Sequence, residues 1–84
     1  MRNKIWIIEW SVLAKSFRIM RFQDMSKVVG HDYYIQDAIR DITGNYPEWE
    51  VILIRDQAGC VSYKLNDENP EIVTFVDNLR RLMS

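Results

Sequence analysis

Large apolar side chains alternate along both sides of the first segment of this chain. From Lys4 to Leu13, Ile5 and Ile7 alternate with Trp6, Ile8, Trp10 and Val12, and β-branched and aromatic residues at a period of two suit a pleated strand. Phe17 to Gln23 reads as a return strand after Ala14-Lys15-Ser16, a short connection without the Asn-Gly signature of a tight hairpin. A two-residue Ala14-Lys15 turn puts Trp6, Ile8, Trp10 and Val12 on one face with Phe17 and Ile19. Ile5, Ile7, Met20 and Phe22 then fill the other. A half-buried hairpin needs one apolar face, and this one has two.

A polar connection with Asp24, Ser26, Lys27 and Gly30 follows, and Asp32 is placed to cap a helix by accepting bonds from its first free N–H groups. Ile35, Ala38, Ile39 and Ile42 recur at helical spacing, Gly44 is placed to end the helix, and Pro47 stops it, so the first helix spans roughly 33 to 43. Trp49 to Asp56 holds Val51-Ile52-Leu53-Ile54, a short apolar run expected of a strand covered on both faces. After the Gln57-Ala58-Gly59 turn, Val61, Tyr63 and Leu65 alternate with Cys60, Ser62 and Lys64 in a more amphipathic strand. Asn69-Pro70-Glu71 is a helix start, with Asn as cap, Pro in the first turn and Glu at the positive end of the dipole. Ile72, Val73, Phe75, Val76, Leu79, Leu82 and Met83 form the apolar stripe of that second helix.

The pattern predicts one α+β domain over residues 1–84, of order ββαββα. Strands one and three read as central, giving a four-stranded antiparallel sheet of order 2-1-3-4. Both helices lie on one face, with a right-handed crossover through helix one. Two amphipathic helices on one face leave Ile5, Ile7, Met20 and Phe22 on an open one, a patch of the kind that marks an interaction site. Trp10 or Trp49 is a candidate exposed anchor beside it, since Trp is enriched at binding hot spots.

Composition narrows the classes. Eighty-four residues allow one core, and 48% hydrophobic with 27% charged residues describes a folded chain. Eleven basic against twelve acidic side chains give a net charge of −1, so no overall field draws nucleic acid or an anionic membrane. The single Cys60 cannot form an internal disulfide, which favours a reducing cytoplasm. Glu9 interrupts the apolar N-terminal run, which argues against a signal peptide, and no run reaches the ~20 residues of a membrane span.

Candidate chemistry is sparse. His31 beside Asp32 lacks a nucleophile and reads as a solvated loop residue, and Cys60 as a small buried or semi-buried strand residue. Asp32, Asp37 and Asp41 lack metal-ligand spacing, and Arg40 can pair with Asp37 at i+3. No catalytic residue, metal or cofactor is therefore expected. Arg18, Arg21, Lys27 and Tyr33, with Tyr34, form the only basic and aromatic cluster, a mixture that grips nucleic-acid strands by phosphate contacts and stacking. Basic residues on an edge strand equally prevent edge-to-edge aggregation.

The stretch from about residue 3 to 56 carries an aromatic first strand, a short return strand, a capped helix and the strand Glu50-Val51-Ile52-Leu53-Ile54-Arg55. In layout it resembles small phage-encoded host-takeover proteins, such as the RNA-polymerase inhibitors of T7-like phages and some small anti-CRISPR proteins. The resemblance implies a non-enzymatic anti-defence inhibitor that binds a host protein in the cytoplasm of a bacterial cell. The expected function is thus a protein-binding module with a host protein, or a second copy in a homodimer, as partner. The alternative is a nucleic-acid-binding accessory protein using Arg18, Arg21, Lys27 and Tyr33.

Overall fold

Three strands, not two, precede the first helix in the computed structural model, which describes residues 4–22, 24–66 and 70–83, with the backbone alone for 24–27, 32 and 83. The order is β1 (Ile5–Ser11), β2 (Ser16–Arg21), β3 (Asp24–Tyr33), α1 (Ile35–Asn45), β4 (Val51–Arg55), β5 (Val61–Leu65) and α2 (Pro70–Met83). They form an α+β fold with a five-stranded mixed sheet of order β3-β2-β1-β4-β5. The four expected strands keep their expected order. The added strand lies outside β2, where the sequence suggests only a polar connection.

That one strand also reverses a direction. After two strands the chain would stand at the starting end of β1, and a helix crossing back would deliver an antiparallel β4. After three it stands at the opposite end, so α1 returns to the start and β4 runs parallel to β1, Ile5 beside Val51 through Glu9 beside Arg55. The expected four-stranded antiparallel sheet is therefore corrected to five mixed strands. β3 escapes notice because Asp24, Ser26, Lys27 and Gly30 are poor strand formers. At an edge they are tolerated, and its pairing with β2 shifts register between Phe17 and Ile19, Ile19 and Met20, and Met20 and Arg21, irregularities that discourage further strand addition.

β1 and β2 pair as Trp10 with Phe17, Ile8 with Ile19 and Trp6 with Arg21. Their turn is four residues, 12–15, instead of two. Relative to the expected pairing this is a slide of two residues, which preserves the side-chain faces because the pleat repeats every two. What changes is Val12, which leaves the core face for the turn and is 78% exposed.

The helices lie on opposite faces, correcting the expectation that both share one. Ala38 and Ile42 of α1 pack on Trp6, Ile8, Phe17, Ile19 and Ile52, with Trp49 closing the cluster. Ile72 and Val76 of α2 pack on Ile5, Ile7, Met20, Val51 and Leu53. Both faces of β1 and the first three residues of β4 are consequently buried, as their continuous apolar runs require. β5 alternates half-buried Val61, Tyr63 and Leu65 with exposed Ser62 and Lys64.

Local details differ at helix ends. Asp32 belongs to β3, and the residue preceding α1 is Tyr34, extended and without a side-chain capping bond. Gly44 lies inside α1, which ends at Asn45, with the Tyr46 amide donating to the Ile42 carbonyl. Asn69, the expected cap of α2, falls outside the described residues. No helix of the described residues is long and apolar enough to cross a membrane.

Candidate protein-binding site

Burial removes most of the expected patch from the surface. Ile5 and Ile7 are fully buried and Met20 nearly so, all beneath α2. Phe22 is half-buried, edge-on to Phe75 at 6.4 Å between ring centroids. These residues are core, because a second helix covers the face that the sequence pattern left open. Trp49 is also buried. Trp10 is only partly buried and stands at a surface hollow near the β1–β2 turn, its ring edge-on to Phe17 at 5.1 Å.

Exposed apolar side chains occur on β3, at Val28 and Val29, and on α2, at Leu82, and two adjacent ones stand where β1 turns into β2. Leu13 is 98% exposed and Val12 78%, yet their turn is held. The Lys15 amide donates to the Ser11 carbonyl at 2.8 Å, and the Ala14 amide to Ser11 Oγ at 3.2 Å. Lys15 closes the turn at φ 54°, a left-handed conformation that costs a residue with a Cβ about 1–2 kcal/mol. Ordering a turn that presents two apolar side chains to water does nothing for the core. Beside it a hollow of about 350 Å³ is walled by Trp10, Phe17, Tyr34, Ile35 and Gln57, and Tyr34 is 81% exposed.

Below the turn, on the α2 face, one carboxylate serves two cations. Arg18 Nη2 donates to Glu9 Oε1 at 2.6 Å and Arg55 Nη1 to Glu9 Oε2 at 3.2 Å. The pleat makes this meeting inevitable, since Glu9 lies opposite Arg18 on β2 and beside Arg55 on β4. The charges end the apolar interior of that face short of the turn.

On the α1 face, Tyr33 reaches from β3 to donate its hydroxyl to Asp41 Oδ2 at 3.2 Å. Gly30 makes this geometry available: a Cβ there would meet the Tyr33 ring and hydroxyl at 2.8 Å. Burial first, then the neighbouring Asp41 carboxylate, push the Tyr33 phenol above its ordinary value of 10.0. Asp41 also accepts from Asn45 Nδ2 at 2.9 Å, so its role is to join β3 to α1.

The basic and aromatic residues of the sequence do not converge. Arg18 and Arg21 are three apart on β2 and point to opposite faces, Arg18 to Glu9 and Arg21 over the Trp6 ring at 5.2 Å. The Lys27 side chain lies outside the described residues. Asp37 and Arg40 form the expected i,i+3 pair at 3.6 Å, and no group of three metal-ligating residues occurs among the described residues. His31 is exposed on β3 instead of in a loop, and Cys60 is exposed just before β5, its amide donating to Asp56 Oδ1.

Leu13 carries a legible signal: Val12-Leu13 places two apolar residues in a turn that polar residues would suit, masked by the strand alternation that runs into it. Comparison with family models, curated proteins and solved structures finds no match to this chain.

Proposed function

We propose that this chain is a non-enzymatic protein-binding module that meets its partner through the end of the sheet bearing Val12, Leu13 and Tyr34. The observation that carries this reading is the exposure of Leu13 and Val12 in a turn whose backbone is hydrogen-bonded in place. A presented apolar pair loses little conformational freedom on docking, which favours affinity. Trp10 supplies an aromatic wall of the kind found at hot spots. A partner would extend the contact over Lys15 and Gln57 at the rim of the hollow.

The proposed role is inhibitory: a small module with an apolar knob obstructs an active or assembly surface of a host protein. The resemblance in sequence layout to small phage takeover proteins suggests this role, although β3 departs from that layout.

The test combines light scattering with affinity capture from a bacterial host, comparing the wild type with Leu13→Asp. The expected result is a discrete protein, or a second copy of the chain, held by the wild type and lost with Leu13→Asp at unchanged circular dichroism. A monomer that captures nothing the variant fails to capture would overturn the reading.

A further inference from the structure

We propose that a separate hollow at the opposite end of the α1 face, between Lys4 and Arg21, binds an oxyanion carried on a small flat ring. Its walls are Lys4, Trp6, Arg21, Tyr46, Glu48 and Trp49, and it encloses about 270 Å³, room for one ring and its charged group. Trp6 and Tyr46 lie 4.4 Å apart between centroids. The Arg21 guanidinium sits over both, at 5.2 and 5.9 Å.

Arg21 is exposed to solvent while it lies over these rings, so its N–H groups remain accessible in the hollow it lines. Among the described residues neither Arg21 nor Lys4 has a carboxylate partner. A planar guanidinium offers two parallel donors to a carboxylate or phosphate and a flat surface to a ring. Lys4 adds a second cation. Glu48, exposed on the same rim, offsets one of the two positive charges, which suits a single oxyanion better than a polyanionic strand.

The hollow is already formed. The Lys4 carbonyl accepts the Glu50 amide at 2.9 Å and the Val51 amide at 3.3 Å, fixing the backbone that carries the ammonium. The Trp49 amide donates to the Tyr46 carbonyl. Asn66 Nδ2 donates to the carbonyls of Pro47 and Trp49 at 3.2 and 2.8 Å, so the 46–49 segment is tied to the far side of β4. A site with its cation stacked and its loop pinned loses little freedom on binding.

Trp6 and Trp49 make the site self-reporting. Tryptophan emission is titrated with benzoate, adenosine monophosphate and inorganic phosphate at millimolar concentrations, with neutral benzamide as the control. The expected result is a saturable change with at least one ring-bearing anion and none with benzamide. The stronger of benzoate and adenosine monophosphate tells a carboxylate source from a phosphate one. Arg21→Ala weakens binding about tenfold, the effect of losing one charge-assisted contact, and the affinity falls with added salt. Arg21→Lys keeps the charge but not the two parallel donors, so it also weakens binding, and Lys4→Ala weakens it without touching the stack. No saturable change with any anion, an equal response to benzamide, or full affinity in both Arg21→Lys and Lys4→Ala would overturn the proposal.

Discussion

Ile5 and Ile7 on β1, and Val12 and Leu13 just beyond its end, are side chains of one kind a few residues apart, and the fold treats them in opposite ways. The first pair is sealed under α2, while the second stands in water on a hydrogen-bonded turn. Hydrophobicity alone therefore does not mark a binding surface. The informative observation is apolar area that no element of the chain covers although its backbone is ordered. The Glu9, Arg18 and Arg55 cluster lies between the two on one face, where the dry interior gives way to solvent.

The largest expected effect tests the buried half of this contrast. Ile7→Ala leaves a cavity between β1, β4 and α2 and should destabilise the protein by about 2–5 kcal/mol. Against the roughly 4–12 kcal/mol expected for a domain of this size, equilibrium urea unfolding will register it clearly. An open sheet face would tolerate the change with little loss.

Next comes the boundary. Glu9→Ala removes the carboxylate that lies between Arg18 on β2 and Arg55 on β4, the two strands flanking β1, and should lower stability by about 1–3 kcal/mol, within the range for hydrogen bonds to charged groups. Urea unfolding of Glu9→Ala and Arg55→Ala singly and together would show coupling between them. Independent, additive effects would mean that the charges merely decorate the surface.

A smaller effect belongs to Tyr33. Its folded-state pKa is raised by burial and by Asp41. Stability from the neutral phenol is therefore fully present below the unfolded value near 10 and is lost as pH rises from there through the raised folded value. Wild-type stability should fall more steeply than that of Tyr33→Phe above pH ~10. Below that pH, Tyr33→Phe should be about 0.5–1.5 kcal/mol less stable, the net value of its bond to Asp41. Parallel curves across alkaline pH would contradict this assignment.

Much of the fold was legible because its signals are local. The Ile35, Ala38, Ile39 and Ile42 spacing found α1, Val51-Ile52-Leu53 found the doubly buried β4, and the pleat of β5 reads directly from alternation. The face assignments of β1 and β2 survived a two-residue error in register for the same reason. β3 was not legible, because an edge strand draws its hydrogen bonds from β2 and needs no apolar pattern of its own. Missing it reversed the direction of β4. The helix faces are a separate matter: two amphipathic helices fit one sheet face or two equally well, and only the doubly apolar β1 and β4 point to two. The expected site depends on the same assignment, since Ile5, Ile7, Met20 and Phe22 form a surface only if that face is open, and α2 covers it.

The most direct measurement is urea unfolding of Leu13→Asp beside Ile7→Ala under one set of conditions. A turn that contributes to binding and not to the core predicts that Leu13→Asp stays within about 0.5 kcal/mol of the wild type, as surface substitutions do, while Ile7→Ala loses several. A loss at Leu13 comparable with that at Ile7 would show that the turn packs into the fold, and the exposed end of the sheet would no longer be a binding surface.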